Sequence, residues 1–565
     1  MERNDRSYGS FDDLQRALLP TPGSPMSSSS SRSGILSQNA DETSDDGAPE
    51  INTKPWYQNP HQITAMISNF STSYNVVNIS LVLPILKELH PGSSEKDTAM
   101  VASSLLAGMI FGQLIGGALG DSWLGRMGAL RMVMALQIAA SLASAFVGTS
   151  GIVSHESIFL WLAGWRFVLG IGCGGVYPLA AVISAEEGKQ QERRGRPLAE
   201  NPGTGGEDHP ERSTNNPSSV KRVVLTFSMQ GIGFVAVPLV AVFLFSCASD
   251  LNLVWRSMLG IGALPGGVLI CLQCVRYRRE RRVPAPDDYP GPDTEESQAV
   301  PTSEMDAMEI DYEPPSPTHG GGGNNQGEGW LRSLLHEPGL GRKVLGTAGT
   351  WFLFDVVFYG NTIFQPIVVA AAFGTQSGNN GIDMLRRTAL ESLILTSIAL
   401  PGYAMAWIIM GKKTFCVRQT PRYVMLQGFA AMTVLYATIG FNWSYLRGDP
   451  TMLVFLYGMT FFFANYGPNT TTFILPSLIF EEEHRATWNG VSAAAGKLGA
   501  LTGATLFAPA ADVLGDHVVM LICAGVALVA FLLTSCAVPS RNDAERESAV
   551  AGNATFVPPS DGEAV

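Results

Sequence analysis

A helix that crosses a bilayer takes about 20 mostly apolar residues, and this chain holds about twelve runs of that kind. They lie near 63–86, 98–120, 128–149, 157–184, 222–246, 254–276, 345–372, 387–411, 421–441, 451–479, 489–510 and 517–538. The runs fall into two groups of six. Between the groups lies a polar stretch, 277–343, which carries Pro284, Pro286, Pro290, Pro314, Pro315, Pro317 and the run Gly320 to Gly323. Low hydrophobicity with Pro and Gly is the signature of a flexible linker. The expected fold class is therefore an all-α membrane protein with twelve transmembrane helices in two six-helix halves, 61–276 and 344–539. A polar insert is expected at 188–221. Residues 1–60, the linker 277–343 and the tail 540–565 are expected to be disordered.

Composition agrees. Only 15% of the 565 residues are charged and 46% are hydrophobic, with a mean hydropathy of +0.15; soluble domains run at about 25% charged. Sixty glycines suit closely packed membrane helices. The net charge of −12 gathers in polar segments (Asp287, Asp288, Glu295, Glu296, Glu304), and no basic face is visible, so no nucleic-acid partner is expected. The seven cysteines lie mostly in apolar runs and read as packing residues. That includes Cys271 and Cys274, a CxxC without a partner pair. No nucleophile–base pair and no metal-ligand cluster stands out; His484, after Glu481, Glu482 and Glu483, reads as part of a solvated charge patch. An enzyme, a metal site and a cofactor are not expected.

Basic residues set the orientation. Arg126 and Arg131, then Lys189 to Arg222, then Arg276 to Arg282, then Lys412, Lys413, Arg418 and Arg422 all fall on one side. That side is expected to be cytosolic, with both termini and the linker; Arg386 and Arg387 are exceptions on the other. Asn442-Trp-Ser444 then lies in an external loop and matches a glycan acceptor, although it sits close to the membrane.

The stretch from Gly112 to Arg126 reads GQLIGGALGDSWLGR. It resembles the loop 2–3 signature of the major facilitator superfamily, matching in Asp121, Gly125 and Arg126, with one extra residue between the acid and the glycine. Its expected role is a charge-and-helix-end latch that holds one conformer. Arg166 to Gly172 reads RFVLGIG and resembles that superfamily's R-x-x-x-G-x-G. An arginine inside a span must face protein or water. Asp121, Arg126 and Arg166, with Asp355, are the candidate coupling and gating residues.

A narrower likeness follows. GIGCGGVYPLAAVISAEE (170–187), FSMQGIG (227–233), WRSMLGIGALPG (255–266), GTAGTWFLFDVVFYG (346–360), NYGPNTTTFILPS (465–477) and NGVSAAAGKLGA (489–500) resemble the fungal and plant phosphate:proton symporters. The likeness covers most of 60–540. It implies a secondary transporter of inorganic phosphate that works by alternating access, with its site near the bilayer midplane between the halves. The plasma membrane is the default location. A vacuolar or endosomal membrane is the alternative, since Asp13 to Leu19 approaches an acidic dileucine signal.

Phosphate chemistry supports the same residues. A buried anion needs donors and positive charge. Lys497 lies deep in span 11, and a lone buried lysine needs an anion to hold its proton. Asp355, in span 7, supplies that anion until phosphate replaces it. By resemblance, Tyr177, Gln230, Trp351, Asp355, Tyr359, Lys497 and one of Asn465 and Asn469 correspond to the phosphate pocket, with Asn469 slightly favoured. Taken singly, the tyrosines, Trp351 and Gln230 would be ordinary interhelical contacts; as a set they match one pocket.

The departures bear on coupling. The family pattern D-x-Y-D in span 1 is Thr72, Ser73, Tyr74, Asn75 here. The acid of G-G-D-Y-P is Val176, and a glutamate after Pro476 is Leu478. Proton coupling through those carboxylates is absent. Three alternatives remain for the driving force: a proton through Asp355, sodium held by Thr72, Ser73 and Asn75 as neutral oxygen ligands, or no coupling. Two further readings compete: transport of organic phosphates such as glycerophosphodiesters, with Val176 widening the apolar share of the pocket, and a phosphate-binding sensor with little flux.

Overall fold

The computed structural model describes residues 56–148, 157–195, 217–280, 332–373, 381–414 and 417–539. Among them, nine helices are long and apolar enough to cross a membrane as they stand. Three further rods are interrupted, which brings the number to twelve. Span 1 is Pro60–Val77, continued past Asn78 as Ile79–Leu89. Span 7 is a short helix Leu340–Val344, a wide π-type turn Leu345–Gly349 and the helix Thr350–Phe373. Span 10 is Pro450–Ala464, a second π-type turn Asn465–Asn469 and Thr470–Ile479.

The uninterrupted spans are 2 (Glu95–Gly120), 3 (Gly125–Phe146), 4 (Ile158–Gly195), 5 (Pro217–Cys247), 8 (Gly381–Ile409), 9 (Pro421–Phe441), 11 (Arg485–Leu514) and 12 (Asp516–Ala537). Span 6 is Leu251–Ile261 followed closely by Leu264–Glu280. Helix is the form in which an apolar segment satisfies its own backbone inside lipid. Local chemistry marks the starts. Asn59 accepts from the N–H groups of His61 and Gln62 ahead of span 1. Ser94 and Asp97 form a reciprocal capping box at span 2. Thr420 and Asp449 cap spans 9 and 10, each ahead of a first-turn proline. A two-residue hairpin, Lys413–Thr414 with Val417–Arg418, joins spans 8 and 9.

The bundle buries polar side chains within a largely apolar core and turns apolar ones outward. Ser68, Asn69, Ser71, Thr72, Gln113, Gln137 and Asn489 are buried, whereas Leu160, Trp161, Phe243, Val434 and Val513 are exposed. An apolar outer surface is what a lipid surround requires. Spans 2 and 4 pack backbone to backbone: a methyl group at Gly112 would run into the Ile171 carbonyl, and one at Gly174 into that of Met109. Small residues allow this approach.

Two expected boundaries move. The insert placed at 188–221 is helical to Gly195 and again from Pro217. The linker placed at 277–343 is helical to Glu280, and residues 332–343 at its far end are described too. There Leu334 packs with Phe480 and Trp488, and buried Glu337 accepts from Lys343 Nζ at 2.8 Å and from the Glu481 N–H at 3.2 Å. These apolar and charged anchors hold the segment on the loop between spans 10 and 11. The disorder expected of 1–55, 281–331 and 540–565, and the middle of the polar insert, 196–216, concern positions outside the described residues.

Candidate functional site

Five spans meet at the centre of the bundle. Trp351, Asp355 and Tyr359 recur every four residues on span 7 and so share one face. Lys497 reaches that face from span 11. Its Nζ donates to Asp355 Oδ2 at 2.8 Å and to the Tyr359 hydroxyl at 3.0 Å. The ammonium also lies 4.3 Å from the Tyr359 ring centroid and 6.0 Å from that of Tyr177. Lys497 and Asp355 are 4% and 2% exposed, so the pair is held away from solvent. Gly496 makes room for it: a methyl there would run into the Trp351 ring.

The first half supplies the opposite wall. Tyr177, beside Pro178 on span 4, donates to Gln230 Oε1 on span 5 at 3.3 Å. Span 10 adds Asn469. Its amide donates to the Tyr403 hydroxyl on span 8 at 3.0 Å and to Asn465 Oδ1 at 2.8 Å. The π-type turn that carries Asn469 is set by Pro468 and by Gly467, whose φ of −99° and ψ of −105° lie outside the helix region. Such turns re-aim side chains, often at functional sites. The freed carbonyl of Asn465 is taken by the Thr470 hydroxyl at 2.5 Å.

Together Tyr177, Phe227, Gln230, Trp351, Asp355, Tyr359, Asn469 and Lys497 line one cavity of about 10 Å³. That is room for about one water. The structure thus brings together every expected pocket residue except Asn465, which stands behind Asn469 and donates to the Ala399 carbonyl. Sequence reasoning missed Phe227 and Tyr403. Phe227 stacks at 4.6 Å on Phe473, and its signal was its position three residues before Gln230, on the same face. Tyr403 had no signal that separates it from an interfacial tyrosine.

The candidate cation ligands do not converge. Thr72 donates to Gln137 Oε1 at 3.0 Å. Ser73 turns to the Phe70 carbonyl beside Gly233. Asn75 donates to the carbonyls of Ser71 and Gly262 and accepts from Ser141. The oxygens of Thr72 and Asn75 both face span 3, where Gln137 and Ser141 take them, while Ser73 points away; all three already serve a neutral network. Val176 is likewise away from the cavity, packed with Leu130, Val133 and Leu179. The expected widening of the pocket through Val176 is therefore corrected.

Asp121 closes one end of the bundle. Its Oδ2 accepts from the Thr487 N–H at 2.6 Å and the Thr487 hydroxyl at 2.8 Å, and its Oδ1 accepts from the Ala486 N–H at 3.3 Å. These are the first amides of span 11, so an acid of the first half caps a helix of the second. Burial pushes the Asp121 carboxyl above its ordinary value, opposed by the bonds from Thr487 and by Arg126. Arg126 pairs with Glu186 and donates to the Glu482 carbonyl at 2.7 Å; Arg485 lies 3.5 Å from Glu186. Arg166 is not part of this latch. It is buried in the first half, bonded to Asn78 and to the Asn75 carbonyl.

At the opposite end, Leu385 and Ala389 of span 8 pack with Val82, Ile85 and Leu86 of span 1. The cavity is closed from both ends. Beyond the latch, spans 2 and 11 diverge around a groove of about 670 Å³ lined by Ser103, Ala107, Leu501 and Thr505, among others.

Known proteins agree with this architecture. The Major Facilitator Superfamily model matches residues 65–199, and the Sugar (and other) transporter model matches 356–543. The solved proton:xylose symporter XylE has a TM-score of 0.57 at 17% identity, over 86% of this chain and 98% of its own, a likeness of fold alone. A probable inorganic phosphate transporter 1-6 of Arabidopsis thaliana is 28% identical over 86% of this chain and 92% of its own length. A probable inorganic phosphate transporter 1-12 of Oryza sativa subsp. japonica is 30% identical over 86% of this chain and 90% of its own. With relatives this similar along nearly their whole length, the chain belongs to the inorganic phosphate transporter family of major facilitator proteins.

Proposed function

We propose that this protein carries inorganic phosphate across a membrane by alternating access, with Lys497 as the fixed positive charge of the site. The observation that carries the reading is the Lys497–Asp355 pair at 2.8 Å, inside a cavity walled by both halves. The lysine is held by an internal carboxylate, and the cavity is too small for a phosphate beside that pair. Phosphate therefore enters by displacing Asp355. The carboxyl, left without its cation in a buried site, is neutralised by a proton. Tyr177, Tyr359, Gln230, Asn469 and Trp351 supply hydrogen-bond partners for the phosphate. The two halves then rock about this point, breaking the Asp121 latch and remaking it.

Proton coupling through Asp355 is the driving mode favoured here. Sodium is disfavoured, because Ser73 points away from Thr72 and Asn75, whose oxygens are already taken by Gln137 and Ser141. The Asp121 end, where Arg126, Lys189, Arg222 and Arg418 gather, is taken as cytosolic, and the plasma membrane as the location. The inward-pointing Phe227 and the tight cavity favour a small inorganic anion over an organic phosphate. Uptake of radiolabelled phosphate in cells without their own phosphate transporters tests the reading. Uptake that rises in acid and ignores sodium supports it. Uptake that is stimulated by sodium, or unchanged by acid, contradicts the coupling. No flux in well-expressed protein points to a sensor instead.

A further inference from the structure

Asn469 lines the central cavity, but its donor side is already in use. A carboxamide carries two donor hydrogens on nitrogen and acceptor lone pairs on oxygen. Asn469 Nδ2 donates to the Tyr403 hydroxyl at 3.0 Å and to Asn465 Oδ1 at 2.8 Å, so both hydrogens are spent. Neither partner lines the cavity. The nitrogen is thus turned away from the cavity, and the oxygen lies on the other edge of the planar group. What Asn469 has left for a ligand is Oδ1, an acceptor.

Which end of the amide is nitrogen follows from the hydrogen-bond network. A backbone carbonyl only accepts, so the Asn465 atom 3.2 Å from the Ala399 carbonyl is Nδ2. The other end of Asn465 is then Oδ1, which also only accepts, so the Asn469 atom facing it is Nδ2. Tyr403 can donate as well as accept, and it suits the assignment that Ala399 dictates. The relay is tightly seated. Asn465 is buried, and a methyl at Gly402 would run into the Phe462 carbonyl, which marks how closely span 8 lies on span 10. On the other side, an ideal Cβ at Gly231 of span 5 lies 2.5 Å from the Tyr403 ring.

A ligand in this site must therefore bring a hydrogen to Asn469. Phosphate does, because near neutral pH at least one of its oxygens is protonated. Sulfate has the same tetrahedral shape and the charge of hydrogen phosphate, but it carries no proton there. Its oxygen would meet Oδ1 lone pair to lone pair in a buried site, where an unmet polar group keeps its full desolvation cost. We propose that Asn469, oriented by Asn465 and Tyr403, reads the proton on the substrate, admitting hydroxylated tetrahedral oxyanions such as phosphate and arsenate and excluding sulfate. Asn469 makes the discriminating contact, and Asn465 and Tyr403 are positioning residues. The inference rests on the phosphate reading of the cavity.

The test is inhibition of radiolabelled phosphate uptake by unlabelled phosphate, arsenate and sulfate near neutral pH, in cells without their own phosphate transporters. Phosphate and arsenate are expected to inhibit the wild type at similar concentrations, and sulfate only at concentrations about a hundredfold higher or more. Asn465→Ala removes the acceptor that fixes the amide, which frees Asn469 to turn over and offer an N–H. Asn469→Ser places there a hydroxyl that donates or accepts. In both variants the ratio of the sulfate to the phosphate inhibitory concentration is expected to fall at least about tenfold. A merely structural role would lower uptake without moving that ratio. Sulfate that inhibits the wild type as well as phosphate does overturns the inference and leaves the phosphate reading standing. An unchanged ratio in variants that still transport overturns it too. Absence of phosphate uptake by the wild type removes the phosphate reading and the inference with it. The wild-type inhibition by sulfate decides the matter even if neither variant folds.

Discussion

Lys497 and Asp355 are a buried pair, and a buried pair is costly to break from one side. Lys497→Ala leaves Asp355 buried without its cation and is expected to lose about 3–5 kcal/mol of stability. Adding Asp355→Asn removes the stranded charge, so the double variant is expected to unfold closer to the wild type than the single one. Thermal unfolding of the three proteins in detergent measures the difference; independent, additive losses would contradict the pairing. These two residues were legible in the sequence because a charge inside an apolar run demands a partner. The choice between Asn469 and Asn465 was less so, since it rests on a turn that distorts the helix. Thr72, Ser73 and Asn75 mislead for a plain reason: Ser73 lies about 100° around the helix from Thr72, and the oxygens of Thr72 and Asn75, which share a side, are already taken by Gln137 and Ser141.

Interruptions do the aiming at the scale of the element. In span 10 the turn Asn465–Asn469 seats Gly467 against Gly428, with 2.5 Å from the position of a Gly467 Cβ to the Gly428 Cα. Pro468→Ala restores a backbone N–H and lets the segment relax toward regular helix. It is expected to leave folding intact while raising the KM for uptake, because Asn469 turns away from the cavity. An unchanged KM would show that the turn does not position that side chain. In span 11, a methyl at Gly499 would meet the Phe352 carbonyl, a backbone atom that cannot swing aside. Gly499→Ala is expected to destabilise by about 1–3 kcal/mol, read as a lower unfolding midpoint. Hydropathy located all twelve rods, since length and apolarity are local properties. It did not show the breaks, because Gly and Pro are common in membrane helices and only packing decides which of them bend. The ordered end of the linker was hidden too. Leu334 and Glu337 look like linker residues until Phe480, Trp488 and Lys343 are brought beside them.

For the whole molecule, transport requires that the Asp121 end open. An ideal Cβ at Gly120 lies 3.1 Å from that of Ala486, across the two halves. This is a few tenths of an ångström short of the separation that a disulfide spans, so a small parting of the two backbones admits the bond. Gly120→Cys/Ala486→Cys is expected to cross-link on mild oxidation and to cut uptake at least about tenfold, with recovery on reduction; each single cysteine is the control. Full activity of the cross-linked protein would rule out opening at this end. The two-half plan and the latch motif were readable from spacing, whereas closure at both ends depends on contacts among residues far apart in the chain. The central claim is that Lys497 holds phosphate once Asp355 lets go. Phosphate binding to purified protein, by calorimetry near neutral pH, tests it most directly, with wild type beside Lys497→Ala and Asp355→Asn. The account predicts that the wild type takes up about one proton per phosphate bound, that Asp355→Asn binds without this uptake, and that Lys497→Ala does not bind. Undiminished binding by Lys497→Ala would contradict it.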